Sequence, residues 1–163
     1  MAYMARGYGV EMSLIETTIR QNDARKTQMA ERILNAVAGT EKPKIAVLGL
    51  AFKGGTDDCR ESPAMEIVAA LLKRGADVTA FDPKAMDNAK KLVGDKIKYA
   101  ADAFDAAKGA DVVAVLTEWV DFKSLDLARL KSVMKTPKIV DLRNLLDKDE
   151  AVKLGFSYVG IGR

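Results

Sequence analysis

Two unbroken apolar runs with β-branched members, at 45–48 and 112–116, mark the second part of this chain. Such runs suit strands buried on both faces, as in a parallel sheet. Weaker strand patterns follow at 77–81, 97–99, 138–140 and 156–159. Between them, stretches at 63–74, 85–93, 101–107, 121–132 and 148–154 read as helices. Gly75, Gly94, Gly109 and Gly155 stand at or near four of their ends, where a left-handed stop is cheapest. Alternating strand and helix predicts an α/β fold, a Rossmann-like doubly wound parallel sheet preceded by a long helix. In such a sheet ligands sit at the carboxyl ends of the strands, near the reversal of strand order.

The first part reads as helix in two pieces. One over 2–6 stops at Gly7-Tyr8-Gly9. The second starts at Ser13, which forms a capping-box pattern with Glu16, and runs to about 38 before Gly39. Its apolar positions fall at the two ends: Leu14, Ile15 and Ile19, then Met29, Ile33, Leu34 and Val37. A polar middle over 20–26 separates them. Two apolar ends and a wet centre suit a helix that bridges two bodies or two subunits, the alternative being a plain surface helix. The helix over 14–38 is therefore expected to self-associate into a homodimer. The connection at 39–43 sets the domain boundary, giving 1–43 as a helical, dimerising segment with its linker and 44–163 as the sheet domain.

Composition narrows the chemistry. A chain of 163 residues can bury roughly 70% of its unfolded surface, enough for one core. With 48% hydrophobic and 30% charged residues it is an ordinary globular composition. No apolar run approaches the ~20 residues of a membrane span, and no signal-peptide pattern opens the chain. The net charge of +3, from 26 basic and 23 acidic residues, is too mild and mixed for nucleic acid. Histidine is absent, which removes Ser–His and Cys–His pairs and histidine-bearing zinc sites. A single cysteine, Cys59, forbids an internal disulfide; with no signal peptide, the cytoplasm is the expected compartment.

The richest stretch lies over 44–63. A strand leads into a loop bearing Gly49, Gly54 and Gly55, then into a helix start where Ser62 can cap and Pro63 fits the first turn. Strand, glycine loop and helix N-terminus make a cradle for phosphate. The dinucleotide pattern G-x-G-x-x-G is not met, because Ala51 stands where the second glycine should be.

Over 52–63 the sequence Phe-Lys-Gly-Gly-Thr-Asp-Asp-Cys-Arg-Glu-Ser-Pro resembles the FK-x-x-TDD-x-RESP signature of the UDP-glucose/GDP-mannose dehydrogenase family. The resemblance continues through Phe81-Asp82-Pro83, Thr117-Glu118-Trp119, Val140-Asp141-Leu142-Arg143-Asn144 and Gly160-Ile161-Gly162-Arg163. Thr-Glu-Trp with Asp-Leu-Arg-Asn is most similar to the UDP-glucose 6-dehydrogenase branch. The resemblance implies the C-terminal, UDP-sugar-binding part of such an enzyme and the long central helix before it, with UDP-glucose as substrate. It implies that Phe52, Lys53 and Arg143 bind substrate, and that Arg60 faces NAD held mainly by another domain. It also implies that the catalytic cysteine lies in a stretch this chain lacks, so no catalytic residue is expected here and this chain alone is inactive. GDP-mannose or a UDP-N-acetylhexosamine remains an alternative substrate, and a non-enzymatic nucleotide-binding module an alternative class.

Several residues carry two readings. Arg60 can face a cofactor or brace its own acidic loop. Asp57 and Asp58 read as loop organisers before a metal pair, and no metal site is expected. Asp82 reads as a turn starter before a ribose-binding acid, since it follows Gly49 by more than the usual spacing of about 20 residues. Trp119 reads as core or interface, and Cys59 as a small packing residue.

Overall fold

The structure is a computed structural model and describes residues 2–162; Met1, and Arg163 at the end of the closing Gly-Ile-Gly-Arg run, lie outside the described residues. The elements run α1 (Ala2–Gly7), α2 (Ser13–Ala36), β1 (Lys44–Leu48), α3 (Pro63–Lys73), β2 (Asp77–Phe81) and α4 (Met86–Val93). They continue with β3 (Lys98–Tyr99), α5 (Ala103–Ala107), β4 (Val112–Val115), α6 (Val120–Lys123) and α7 (Leu127–Val133). The last are β5 (Lys138–Asp141), α8 (Lys148–Lys153) and β6 (Ser157–Gly160).

All six strands are parallel, in the order β3-β2-β1-β4-β5-β6. The order reverses between β1 and β4, where Val47 pairs with Ala80 on one side and Ala114 on the other. Both apolar runs of the sequence occupy these two central strands, and their valines are fully buried. Helices α2 and α3 pack together on the sheet, α2 reaching β4 and β5 and α3 reaching β2. Helix α5 packs with α7 and covers β1 and β2. This doubly wound arrangement is the one the alternating pattern predicts.

The long helix departs from expectation at both ends. Met12, not Ser13, holds the cap position of α2, and no side chain caps it. Ser13 is already helical, so the expected capping box does not form. At the other end the helix stops at Ala36, where the Lys138 ammonium donates to the Ala36 carbonyl at 2.8 Å. That bond satisfies one of the carbonyls a helix end leaves free.

The two apolar ends of α2 also differ from each other. Ala30, Ile33 and Val37 are buried in the core, with Met29 and Leu34 packed against it. Leu14 is 84% exposed and Ile19 48% exposed. The C-terminal half is thus seated on its own domain, and only the N-terminal half leaves apolar side chains in solvent. The expected helix over 121–132 is two helices, because Asp126 turns its side chain to cap Arg129 N–H and starts α7 afresh.

Candidate functional site

Two buried aspartates build the carboxyl edge of the sheet. Asp82, at the end of β2, is 1% exposed. Its carboxylate accepts the N–H groups of Leu50 (2.8 Å), Ala51 (3.0 Å), Lys84 (3.0 Å) and Ala85 (2.8 Å) and the Trp119 indole N–H (3.0 Å). Asp141, at the end of β5, accepts the N–H groups of Arg143, Leu145 and Leu146 and the Tyr158 hydroxyl. Each carboxylate fixes the loop that follows its own strand. Asp82 also fixes the loops after β1 and β4.

The loop after β1 is clamped further. Thr117 donates its hydroxyl to the Ala51 carbonyl at 2.8 Å, and Ser62 donates to the Leu50 carbonyl at 2.9 Å while capping Ala64 N–H. Gly49 has φ +96°, and a Cβ there would lie 2.5 Å from the Thr117 Cβ. A Cβ at Gly54 would lie 2.5 Å from the Glu118 carbonyl oxygen. Two of the three loop glycines are therefore explained by close approach to the end of β4, not by an approaching ligand.

Around these loops lies a cavity of about 470 Å³. Phe52, Leu116, Leu142, Arg143 and Ile161 line it from the carboxyl ends of β1, β4, β5 and β6. Glu61 and Pro63 close it at the start of α3, and Ile19, Asn22, Asp23, Arg25, Lys26 and Met29 from α2 form the facing wall. The cavity spans the reversal of strand order, where such sheets bind ligands. It holds apolar flooring and three cations, Arg25, Lys26 and Arg143, against two carboxylates, Asp23 and Glu61, a balance that still suits an anionic ligand with a flat apolar part.

The expected site residues separate into two places. Phe52, 53% exposed, and Arg143 share the cavity. Lys53 follows Phe52 on the same loop and is exposed, without belonging to the cavity lining. Arg60 lies in a second hollow with Thr56, Asp58, Cys59, Asn88 and Lys91. There its guanidinium grips Asp58 through Nε at 3.0 Å and Nη2 at 2.8 Å. That geometry is the loop-bracing alternative read from the sequence.

Charge follows these contacts. The Arg60 side chain lowers the Asp58 carboxyl to about 2. Burial pushes the Cys59 thiol up to about 11, which leaves it a packing residue and a poor nucleophile. The carboxylate of Glu66, 2.6 Å from the Lys26 ammonium, and that of Asp23 at 3.0 Å raise the Lys26 pKa. Asp82 is an organiser, which agrees with the turn reading and removes the ribose-acid one. Trp119 is core, 5% exposed. Among the described residues no three His, Cys, Asp or Glu side chains converge as a metal site.

A dinucleotide does not fit the β1–α3 loop. The backbone N–H groups of Leu50 and Ala51, which would meet a pyrophosphate, already bind Asp82, and Ala51 is buried. The sequence reading missed the α2 wall of the cavity, Asn22, Arg25 and Lys26, because these lie in a polar stretch that looks like solvated helix. It also assigned no role to Glu118, although it quoted the motif that holds it.

Residues 46–148 match the family model described as UDP-glucose/GDP-mannose dehydrogenase family, UDP binding domain. A UDP-glucose 6-dehydrogenase of Rhizobium meliloti (strain 1021) is 48% identical over 98% of this chain and 36% of its own length. One of Rickettsia prowazekii (strain Madrid E) is 38% identical over 98% of this chain and 37% of its own length. The chain thus spans about a third of the length of these curated relatives. A solved UDP-glucose dehydrogenase from Pyrobaculum islandicum superposes with a TM-score of 0.82 at 29% identity, covering 98% of this chain and 34% of that one. A UDP-D-ManNAc dehydrogenase structure from Pyrococcus horikoshii gives 0.77, also at 29% identity, over 94% of this chain and 34% of that one.

Proposed function

The chain belongs to the UDP-glucose/GDP-mannose dehydrogenase family, and on that premise we propose that it binds the UDP-sugar of a UDP-glucose 6-dehydrogenase. The observation that supports this is the cavity at the carboxyl ends of β1, β4 and β5, with Arg143 and Phe52 on it. Arg143 would take the diphosphate through its bidentate fork. Phe52 would lie against the flat, less polar part of the ligand, and Lys53 would add charge from the same loop. Leu116, Leu142 and Ile161 would give that part of the ligand an apolar floor.

In the whole enzyme the reaction is the oxidation of UDP-glucose to UDP-glucuronate. NAD supplies two hydride acceptances for that change. On this reading the chemistry is carried outside this chain; Cys59 is buried, and burial pushes its thiol up to about 11. This chain therefore contributes binding and shape, and is inactive by itself. NAD sits mainly outside this chain, because the β1–α3 loop is closed to it. Arg60, 85% exposed at its side chain, is this chain's contact toward the cofactor, which would draw it from Asp58. Residues 1–43 form the helical segment through which two copies associate, by way of the N-terminal half of α2. The compartment proposed is the cytoplasm; among the described residues, no helix is long and apolar enough to cross a membrane.

Calorimetric titration of the 163-residue chain tests the reading. UDP and UDP-glucose should bind saturably, and GDP-mannose at least 10-fold more weakly. Hydrogen bonds to charged groups contribute about 1.5–3 kcal/mol each, so Arg143→Ala should weaken UDP roughly 10- to 100-fold without lowering the melting temperature. Equal affinity for GDP-mannose would move the substrate assignment. An unchanged UDP affinity in the folded variant would remove Arg143 from the site.

A further inference from the structure

Arg143 faces the cavity, but a long side chain on a loop does not hold one direction unaided. Its backbone N–H is fixed by Asp141 at 3.0 Å, which sets where the side chain starts. Its far end is held by another group: Nη2 forms an ion pair with the Oε2 of Glu118. Glu118 stands at the carboxyl end of β4, the strand beside β5. Arg143 lines the cavity, and Glu118 is not among the residues that line it.

Glu118 is itself a well-held residue. On one side Thr117 is bonded to the Ala51 carbonyl, and on the other Trp119 is bonded to the buried Asp82. The bare Cα of Gly54 lies directly against the Glu118 carbonyl oxygen. The carboxylate thus starts from a backbone that is anchored on three sides. The two side chains are 40% and 38% exposed, while the paired Oε2 of Glu118 is itself buried. With both side chains partly exposed, such a pair adds only modestly to stability. Its effect is on direction. It restricts a rotamer-rich side chain in advance of binding, which lowers the ordering cost of the bound state.

We infer that Glu118 is a positioning residue for the nucleotide site, holding the Arg143 guanidinium toward the cavity for the diphosphate. This rests on the UDP-binding reading above. A competing effect has the opposite sign: a carboxylate that simply occupies Arg143 would be displaced by the diphosphate, and removing it would tighten binding.

UDP titrated against four forms of the chain separates these effects: Glu118→Ala, Glu118→Gln, Arg143→Ala and the double variant, each with a melting curve. Positioning predicts that Glu118→Ala weakens UDP about 3- to 10-fold with little change in melting temperature. Glu118→Gln, which keeps an acceptor oxygen, should recover part of the loss. The double variant should bind no more weakly than Arg143→Ala, because Glu118 acts only through Arg143. Unchanged or tighter binding in Glu118→Ala, or additive losses in the double variant, would overturn the inference while leaving the Arg143 effect intact. If Arg143→Ala itself has no effect, it is the UDP-binding reading that fails, and the inference with it.

Discussion

The indole N–H of Trp119 reaches the carboxylate of Asp82 at 3.0 Å, joining the end of β4 to the end of β2 across the intervening β1. Three strand ends thereby share one buried anion. Hydrogen bonds to a charged acceptor are among the stronger ones, and a buried donor left without its acceptor costs about 1–3 kcal/mol. Asp82→Ala should therefore destabilise the fold by at least about 3 kcal/mol, a drop of some 6–12 °C for a chain of this size. Trp119→Phe, which removes one of the five donors, should cost less in urea unfolding than Asp82→Ala. Equal losses would mean that the indole contributes mostly through packing.

Cys59 provides a chemical check on burial. With its thiol pushed up to about 11, roughly one molecule in a thousand carries thiolate at pH 8. A disulfide-exchange reagent should label the folded chain far more slowly than the urea-unfolded one. Labelling at the same rate in both states would place this thiol at the surface.

The two left-handed glycines of the β1–α3 loop should behave differently on substitution. Gly55 has φ +87° and open space where an added methyl would stand, so Gly55→Ala should cost only the backbone term, about 1–2 kcal/mol. Gly49, at φ +96°, adds a collision with Thr117 at 2.5 Å. Gly49→Ala should cost measurably more, and adding Thr117→Ser should bring no relief, because serine keeps both colliding side-chain atoms, Cβ and Oγ. Thermal melts of the three variants decide it.

Asp111 gives a pH signature. Burial alone would raise its carboxyl, but the Lys135 ammonium at 2.8 Å and the Lys44 N–H at 2.9 Å hold it below the usual value. A depressed folded value means the contribution is present above the unfolded pKa of about 3.9 and lost as pH falls through the folded one. The stability gap between wild type and Asp111→Asn should accordingly be constant at neutral pH and narrow in acid. A gap that widens below pH 4 would contradict the pairing.

In α2 the two apolar ends should separate cleanly by experiment. Ile33→Ala, in the buried half, should destabilise the domain by about 2–5 kcal/mol. Leu14→Ala with Ile19→Ala should leave stability within about 0.5 kcal/mol per substitution and shift sedimentation from dimer to monomer. A monomer already in the wild type at micromolar concentration would remove self-association from the reading.

What was legible in the sequence follows the kind of force involved. The order of strands and helices, the Ser62 cap and the glycine stops rest on local periodicity and local hydrogen bonds, and a sequence displays those. The seating of the second half of α2 rests on contacts with β4 and β5, over a hundred positions away in part, as the Lys138–Ala36 bond shows. The failed capping box at Ser13 has the same lesson: the helix begins one residue earlier, after Met12, than the side-chain pattern suggests. Phe52 and Arg143 were recognisable from motifs, and strand-end geometry brings them together. Lys26 and Arg25 were not, because a cation on a polar helical stretch looks the same whether it faces water or a cavity.

Asp82 has a further consequence for how this sheet meets a nucleotide. In a dinucleotide-binding sheet of the same strand order, the first loop keeps its N–H groups for an incoming phosphate. Here a side chain of the chain itself serves as that anion, so the loop is folded around an internal counterpart before any ligand arrives. On the proposed reading, recognition then lies to the side, at the ends of β4 and β5. The thermodynamic mark of such a site is docking onto a surface already formed, with a heat-capacity change set by the area covered and none from ordering a loop.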